Sequence, residues 1–343
     1  MFKLAVFIGR FAPYHLGHSK VVLQALKEAE QLLILTGSAN APPNLRTPFT
    51  WEQRANMIAL AHPQETECGR IKFEPIEDFL YNDNDWATQV RSIVSRYEKD
   101  PTQVCLIGHQ KDGTSFYLKL FPEWKSVGVK HYDALNATDI RNAIYTNSLD
   151  AVMHTIPSTT KEWLSNWGGS KDFANVMAEW EFKQKHDKAW ANAPYTPTFN
   201  TVDSMVVQSG HVLLVNRKSY PGKGLWALPG GYLNPTEKTF DGAIRELREE
   251  TKLKVPEPVL RGSTVCEKVF ADPYRSSRGR IVTVAYLFHL RAETQLPRVK
   301  GSDDAAKAKW WPLSQVKRSM FFEDHFDILF NLMSRLPDRP VVF

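Results

Sequence analysis

Short apolar runs and amphipathic helical patterns alternate along the first half of the chain. The apolar runs predict buried strands, and apolar residues spaced three or four positions apart predict helices between them. The strands are predicted at 3–8, 32–35, 71–75 and 104–107, and the helices at 19–30, 50–61 and 86–97. This alternation is typical of an α/β doubly wound parallel sheet, in which ligands bind beyond the carboxyl ends of the strands.

The pattern becomes β-rich in the second half. A hairpin with a Ser209-Gly210 turn is predicted first, followed by one strong helix, two more strands and a closing helix. The ranges are 201–208 and 211–216 for the hairpin, 236–251 for the helix, 265–270 and 281–290 for the strands, and 326–333 for the last helix. We therefore predict a first domain at 1–190, with its core at 1–150, a linker at 191–198 and an α+β domain at 199–343.

Composition and charge narrow the class of protein. The 343 residues are 43% hydrophobic, which is enough for two packed cores and excludes global disorder. A net charge of +5 is too small for a nucleic-acid platform but suits phosphorylated substrates. The three cysteines show no metal or disulfide spacing, and no apolar run is long enough to span a bilayer. A cytoplasmic enzyme of small molecules is expected, without nucleic-acid or membrane partners, and a homo-oligomer stays open.

The segment between the first predicted strand and helix is rich in groups that bind phosphate. Gly9 and Gly17 allow close approach of the backbone, while Arg10, His15 and His18 supply hydrogen-bond donors for a polyphosphate. The following helix points its N-terminus at the same spot. Two histidines three residues apart could instead bind a metal or only form hydrogen bonds within the loop. The position between a strand and a helix favours phosphate binding.

This segment resembles the HxGH motif of nucleotidyltransferases, and residues 1–150 are similar to the archaeal-like nicotinamide mononucleotide (NMN) adenylyltransferases. Residues 136–141 resemble that family's S-x-T-x-I-R motif, with Asn136 where serine is usual. The resemblance implies that His15, His18 and Arg141 are catalytic. It implies ATP contacts from Gly9, Arg10, Phe11, Gly17 and Thr138.

The NMN end of this site is implied by weaker similarities. Residues 81–86 resemble the family loop in which an aromatic ring stacks on nicotinamide, which implies Trp86 for stacking and Asn82 for the carboxamide. Packing of Trp86 into the core is the alternative. The family segment at 48–54 implies that Arg54 binds a substrate phosphate, and residues 108–112 could line the adenosine pocket.

The strong helix of the second half carries three crowded acids. Glu246 and Glu250 lie four residues apart and project together beside an apolar stripe, with Glu249 on the next flank. These carboxylates repel one another, and a hard divalent cation such as Mg²⁺ or Mn²⁺ would relieve the repulsion and bridge a pyrophosphate. A solvated, Glu-rich helix face is the alternative.

Residues 231–253 resemble the Nudix box, G-x5-E-x7-R-E-U-x-E-E-x-G-U, at every defined position except one. Lys252 stands where the motif has glycine, and a lysine in the left-handed conformation expected there costs on the order of 1 kcal/mol. The resemblance implies that Glu246, Glu249 and Glu250 bind the metal and that the last two are catalytic. Neither role depends on residue 252.

Segments outside the box resemble the ADP-ribose branch of the Nudix hydrolases. Residues 226–231 and 268–280 carry this similarity, which implies adenine or ribose contacts from Phe270, Tyr274 and Arg280. Asp304 is a candidate for a further acid near the metal.

The order of the two modules resembles the bifunctional NMN adenylyltransferase/Nudix hydrolases. This implies transfer of AMP from ATP to NMN, giving NAD, and hydrolysis of ADP-ribose to AMP and ribose 5-phosphate. Two alternatives remain: another mononucleotide or nucleoside diphosphate derivative as substrate, and a second domain that only senses ADP-ribose.

Overall fold

A computed structural model describes residues 1–109, 120–129, 136–302 and 304–336. The chain forms two compact units, Met1–Met177 and Ala178–Phe343. The division falls inside the helix Lys171–Trp190. Residues 178–190 therefore group with the second unit, whereas the predicted boundary lies at 190; the predicted limits stay a prediction.

The first unit alternates strands and helices in the predicted order. Its strands are β1 (Phe2–Gly9), β2 (Ala29–Thr36), β3 (Ile71–Pro75), β4 (Val104–His109) and β5 (Lys125–Val129). Its helices are α1 (Leu16–Glu28), α2 (Trp51–Ala61), α3 (Pro63–Glu67), α4 (Asp83–Val94), α5 (Ala137–Tyr145) and α6 (Ser158–Trp167), followed by α7 (Lys171–Trp190), which crosses into the second unit.

All the pairings in the first sheet are parallel, in the order β3-β2-β1-β4-β5. The prediction of a doubly wound sheet is confirmed. The strand order reverses between β1 and β4, and this is where such sheets open a crevice for ligands. The HxGH segment leaves β1 at this point.

The second unit is a mixed sheet with helices. Its strands are β6 (Thr198–Gln208), β7 (His211–Arg217), β8 (Trp226–Ala227), β9 (Gly230–Tyr232), β10 (Thr264–Phe270), β11 (Arg280–His289) and β12 (Ala305–Pro312). Its further helices are α8 (Thr239–Thr251), α9 (Glu257–Gly262) and α10 (His325–Met333).

The path through the second sheet is β10-β11-β6-β7-β12, with β8 on β7 and β9 on β6. The predicted hairpin is confirmed: Ser209 and Gly210 have φ of 47° and 72°, as a tight two-residue turn requires. Helix α8 buries Ala243, Ile244 and Leu247 in the core and lies along β6 and β9. Its acidic face is thereby held beside the Gly230–Gly231 backbone.

Among the described residues, no helix is long and apolar enough to cross a membrane.

Candidate active sites

The first site begins with a histidine that caps a helix. Nδ1 of His15 accepts hydrogen bonds from the backbone N–H groups of Gly17 (3.1 Å) and His18 (3.4 Å) at the start of α1. A nitrogen that accepts these bonds carries no proton, so the neutral ring holds its proton on Nε2. The rings of His15 and His18 stack with their centroids 3.7 Å apart. The loop therefore presents two imidazoles together at the end of β1.

Helix α5 brings the second motif to this loop. Nη1 of Arg141 donates to the Ala12 carbonyl at 2.7 Å, and Nη2 donates to Oγ1 of Thr138 at 3.0 Å. Asn136, which replaces the usual serine, caps α5 by accepting from the Asp139 N–H at 2.9 Å. The departure from the family motif thus preserves the helix cap.

Positive charge is concentrated at this junction. Burial, together with the nearby charges of Arg10 and Arg46, lowers the pKa of Arg141 to about 10. Both of its hydrogen-bond acceptors are neutral, so no protein carboxylate in these contacts balances the charge. The site is suited to an anion with several oxygens, such as a polyphosphate. Arg46 was not predicted because it lies in a loop without a recognised spacing.

The Phe11 side chain packs under the HxGH loop, against the rings of Phe7 and His18. Phe11 has φ of 51° and a side chain that is only 1% exposed, and its ring meets the His18 ring edge-on at 5.0 Å. A Cβ on Gly9 would lie 2.8 Å from the Phe11 ring, so glycine is needed there. The Phe11 ring is enclosed by protein and offers no face to ATP, so a contact through the backbone of Phe11 is what stays of that prediction.

Arg54 is a buried clamp. Its guanidinium, 1% exposed, donates to the carbonyls of Thr50 (3.1 Å), Arg10 (2.7 Å), Gly37 (2.6 Å) and Ser38 (3.3 Å). The prediction that it binds a substrate phosphate is therefore corrected: it ties together the loops that follow β1 and β2. The similarity of residues 48–54 to the family segment singled out Arg54, but it could not distinguish a ligand contact from a structural one.

We expect Arg54→Lys to lower the free energy of unfolding of the first unit by on the order of 2–4 kcal/mol, because an ammonium cannot reach these separated carbonyls. Thermal melts followed by circular dichroism would measure this. The control is Arg91→Lys, which alters a half-exposed pair with Glu123 and should change little. Normal stability with a raised KM for NMN would instead restore the phosphate role.

The residues predicted to contact nicotinamide have partners within the protein itself. Asn82 caps α4, accepting from the Asp85 N–H at 3.3 Å and donating to its carboxylate at 2.6 Å. Trp86 is half-buried and packs against Phe121 with centroids 5.8 Å apart. The packing alternative is thus present, and the stacking role stays a prediction. Of residues 108–112, those at 110–112 lie outside the described residues.

The second site is built where α8 meets β9. The Gly230 N–H donates to Oε2 of Glu250 at 3.0 Å. A Cβ on Gly231 would lie 2.6 Å from Oε1 of Glu246, so a larger residue there would displace that carboxylate from its present position. Two of the three predicted acids therefore lie together along one short backbone segment, while Glu249 is 45% exposed on the neighbouring flank.

Arg245 organises the rest of the box. It forms a two-point pair with Glu237, at 3.0 Å from Nε and 2.6 Å from Nη2. Its Nη1 donates to Glu246 (2.7 Å) and Glu249 (3.0 Å). Hydrogen bonding from Arg245 lowers the pKa of Glu237 to about 2. Glu237 thus anchors the loop before α8, a role that its place in the motif indicates but does not explain.

The donor set fits a divalent cation. Burial, followed by the charge of Glu246 and then that of Asp203, raises the pKa of Glu250 to about 8, while the Gly230 N–H and Arg217 oppose the rise. A hard cation would remove this penalty by neutralising the paired carboxylates. No group of three metal-binding side chains is already assembled within the part of the chain that the structure describes.

Lys252 has the strained conformation that the sequence predicts. Its φ of 53° and ψ of 27° place it in the left-handed region, at the end of α8. We expect Lys252→Gly to raise the free energy of unfolding by about 0.5–1 kcal/mol without changing hydrolysis. Chemical denaturation would measure the gain, and Lys254→Gly, which changes the same residue type two positions on, should give none. Equal effects of the two substitutions would contradict the account.

The residues predicted to contact adenine or ribose differ widely in exposure. Phe270 is 1% exposed, so its ring offers no face to a base and that assignment is not supported. Tyr274 is 66% exposed, and Arg280 donates to the Ala271 carbonyl at 2.7 Å. Asp304 is exposed, and its carbonyl accepts from the Lys218 N–H at 3.0 Å. Roles for the last three stay predictions.

Two family models match the chain, one in each unit. The Cytidylyltransferase-like model covers residues 6–141, and the NUDIX domain model covers residues 198–332. The fold, the sites and these matches together define a nucleotidyltransferase domain followed by a Nudix domain.

Relatives of known name match each half. A nicotinamide/nicotinic acid mononucleotide adenylyltransferase of Acinetobacter baylyi is 35% identical over 52% of this chain and 94% of its own length. An ADP-ribose pyrophosphatase of Methanocaldococcus jannaschii is 30% identical over 38% of this chain and 71% of its own.

One solved structure matches across both halves. It is a bifunctional NMN adenylyltransferase/ADP ribose pyrophosphatase of Francisella tularensis, complexed with AMP and a manganese ion. It is 32% identical, has a TM-score of 0.88, and covers 97% of this chain and 99% of its own. The chain belongs to this family of bifunctional NMN adenylyltransferase/ADP-ribose pyrophosphatases.

Proposed function

We propose that the protein makes NAD and pyrophosphate from NMN and ATP at the first site, and hydrolyses ADP-ribose to AMP and ribose 5-phosphate at the second. The observation that carries the first activity is the 2.7 Å bond from Arg141 to Ala12, which joins two phosphate-binding motifs. The second activity is carried by Glu246 and Glu250 side by side along Gly230–Gly231. The relatives of both halves support these substrates.

Adenylyl transfer needs positioned donors and no covalent nucleophile. A phosphate oxygen of NMN attacks the α-phosphorus of ATP, and the bond to the bridging oxygen of the leaving pyrophosphate breaks. His15 Nε2–H, His18, Arg141 and the N–H groups at the start of α1 would stabilise the charge that builds on the phosphate oxygens. Because Arg141 is held by Ala12 and Thr138, it needs little reorganisation as the charge develops.

Hydrolysis of ADP-ribose breaks one bond of its diphosphate with water. Glu246 and Glu250 would hold a divalent cation, for which we propose Mg²⁺ or Mn²⁺; the manganese in the Francisella structure supports this class of ion. The bound ion would neutralise the diphosphate and acidify a water molecule. Glu249 is the most exposed of the three acids, which suits it to accept the proton of the attacking water.

The test is a substrate panel on the full chain with each metal, with products identified by mass. NMN and nicotinate mononucleotide are each supplied with ATP, and ADP-ribose is compared with NADH and diadenosine polyphosphates. We expect NAD from NMN, and AMP with ribose 5-phosphate from ADP-ribose. Absence of either product pair at every pH and with both metals would refute that half of the proposal. Binding of ADP-ribose without turnover would indicate a sensor.

A further inference from the structure

An acid that precedes the Nudix match reaches into the second unit. Glu179 lies near the middle of α7, in the unit Ala178–Phe343 but before the family match at 198–332. Its Oε1 accepts a hydrogen bond of 2.6 Å from the N–H of Gly222, in the loop between β7 and β8. The helix therefore contributes to the hydrolase unit and is not merely a spacer.

A single peptide group links this acid to a cation. The carbonyl of Pro221 belongs to the same peptide bond as the Gly222 N–H, and it accepts from Nε of Arg217 at 2.7 Å. The peptide is thus polarised by a carboxylate at one end and a guanidinium at the other, which strengthens both hydrogen bonds. Loss of the carboxylate would loosen the peptide and, with it, the orientation of Arg217.

The loop and the guanidinium share one aromatic support. The centre of the Arg217 guanidinium lies 4.2 Å from the Phe322 ring centroid. A Cβ on Gly222, whose φ is +73°, would lie 2.1 Å from the same ring. The loop therefore packs directly on Phe322. A shift of the loop would move this ring and, with it, the Arg217 guanidinium that stacks on it.

Arg217 lies at the end of β7, and the two residues before it pair with Trp226 and Ala227 of β8. The chain continues from β8 to Gly230, whose N–H donates to Glu250, so Arg217 lies next to the second site. Its charge lowers the pKa of Glu250, and the charges of Arg217 and Arg278 oppose each other. Within the described residues, the two terminal nitrogens of Arg217 have no hydrogen-bond partner, since only Nε is engaged. A guanidinium whose terminal N–H groups are not engaged, beside a metal-binding acid pair, is suited to a diphosphate.

We propose that Glu179 is a positioning residue of the hydrolase: through the Pro221–Gly222 peptide it orients Arg217, whose terminal N–H groups bind the diphosphate of ADP-ribose. The proposal rests on hydrolysis of ADP-ribose at the second site. It also implies that the functional hydrolase begins within α7, ahead of residue 198.

The experiment compares steady-state hydrolysis of ADP-ribose by full-length variants. We expect Glu179→Ala to raise KM about tenfold with kcat within about threefold of wild type, as for a lost hydrogen bond to a charged group that affects ground and transition states alike. Glu179→Gln, whose amide oxygen can still accept from Gly222, should recover most of the loss. The control is Glu181→Ala, an exposed acid on the same helix, which should match wild type.

A double-mutant cycle with Arg217→Ala tests the route of the effect. If Glu179 acts through Arg217, Glu179→Ala should add less than about twofold to the KM of Arg217→Ala. A full tenfold increase in that background would overturn the proposal, as would an unchanged KM in Glu179→Ala alone or a parallel fall in NAD formation. Absence of hydrolysis by the wild-type chain would refute the proposed function itself, and this inference with it.

Discussion

Replacement of Glu250 by glutamine should abolish ADP-ribose hydrolysis, by roughly a thousandfold or more, and leave NAD formation unchanged. The amide keeps the shape of the side chain and can still accept from the Gly230 N–H. It cannot supply the negative charge that holds the cation beside Glu246. Steady-state assays of both activities would measure the effect, with Glu293→Gln, an exposed acid of the same unit, as the control. A surviving hydrolase would contradict the assignment of Glu250.

The same substitution should stabilise the protein without metal. Burial raises the pKa of Glu250 from 4.5 to about 8, so the folded chain binds the proton more tightly than the unfolded chain does. Its contribution to stability is therefore full below about pH 4.5 and falls as the pH rises towards 8. Metal-free Glu250→Gln should exceed wild type by on the order of 3 kcal/mol above pH 8 and by little near pH 4.

Thermal melts in EDTA across this pH range would show the difference, and Mn²⁺ at pH 8 should then stabilise wild type but not the variant. Wild type more stable than Glu250→Gln at pH 8 in EDTA would contradict the account of this buried acid.

Arg141→Lys should reduce NAD formation by on the order of 100- to 1,000-fold while ADP-ribose hydrolysis continues. The guanidinium donates to Ala12 and Thr138 from two nitrogens and keeps further N–H groups for an anion. An ammonium is a compact charge that cannot hold both neutral anchors and also present a planar pair of donors to phosphate.

Rates at saturating NMN and ATP would measure this loss, because it should appear in kcat as well as in KM. Arg91→Lys, at a half-exposed ion pair of the same unit, is the control. An Arg141→Lys protein that forms NAD at the wild-type rate would show that the charge of Arg141, not its geometry, is all that matters.

Most strands and helices could be predicted because they bury continuous or periodic apolar faces. Four strands were not predicted: β5, β8, β9 and β12. Three of them are short or weak in pattern: β5 contains a glycine and few apolar residues, β8 has two residues, and β9 has three, two of them glycine. The longer β12 has two lysines among its apolar residues. Such segments are strands because a neighbour supplies hydrogen bonds, as β6 does for β9. Pairing of this kind is a tertiary effect that local sequence does not encode.

In the candidate sites, too, local spacing was predictable and tertiary contacts were not. Spacing placed Glu246 and Glu250 on one face of α8, and the structure confirms that they lie together. Sequence could not reveal that Arg54 is a buried clamp, because a guanidinium that binds carbonyls and one that binds phosphate are the same residue in a motif. It also gave no sign of Glu179, whose partner Gly222 is 43 residues away.

The central claim is that the two chemistries use separate pockets, one built from imidazole and guanidinium groups and one from paired carboxylates. The most direct test is a ³¹P NMR time course of one mixture that contains NMN, ATP and ADP-ribose. The buffer contains Mg²⁺ and no Mn²⁺, and the mixture is run separately with wild type, Glu250→Gln and Arg141→Lys. We predict that Glu250→Gln still forms pyrophosphate and NAD but leaves ADP-ribose intact, and that Arg141→Lys does the reverse. Loss of both reactions in either variant, with the fold retained, would contradict the claim.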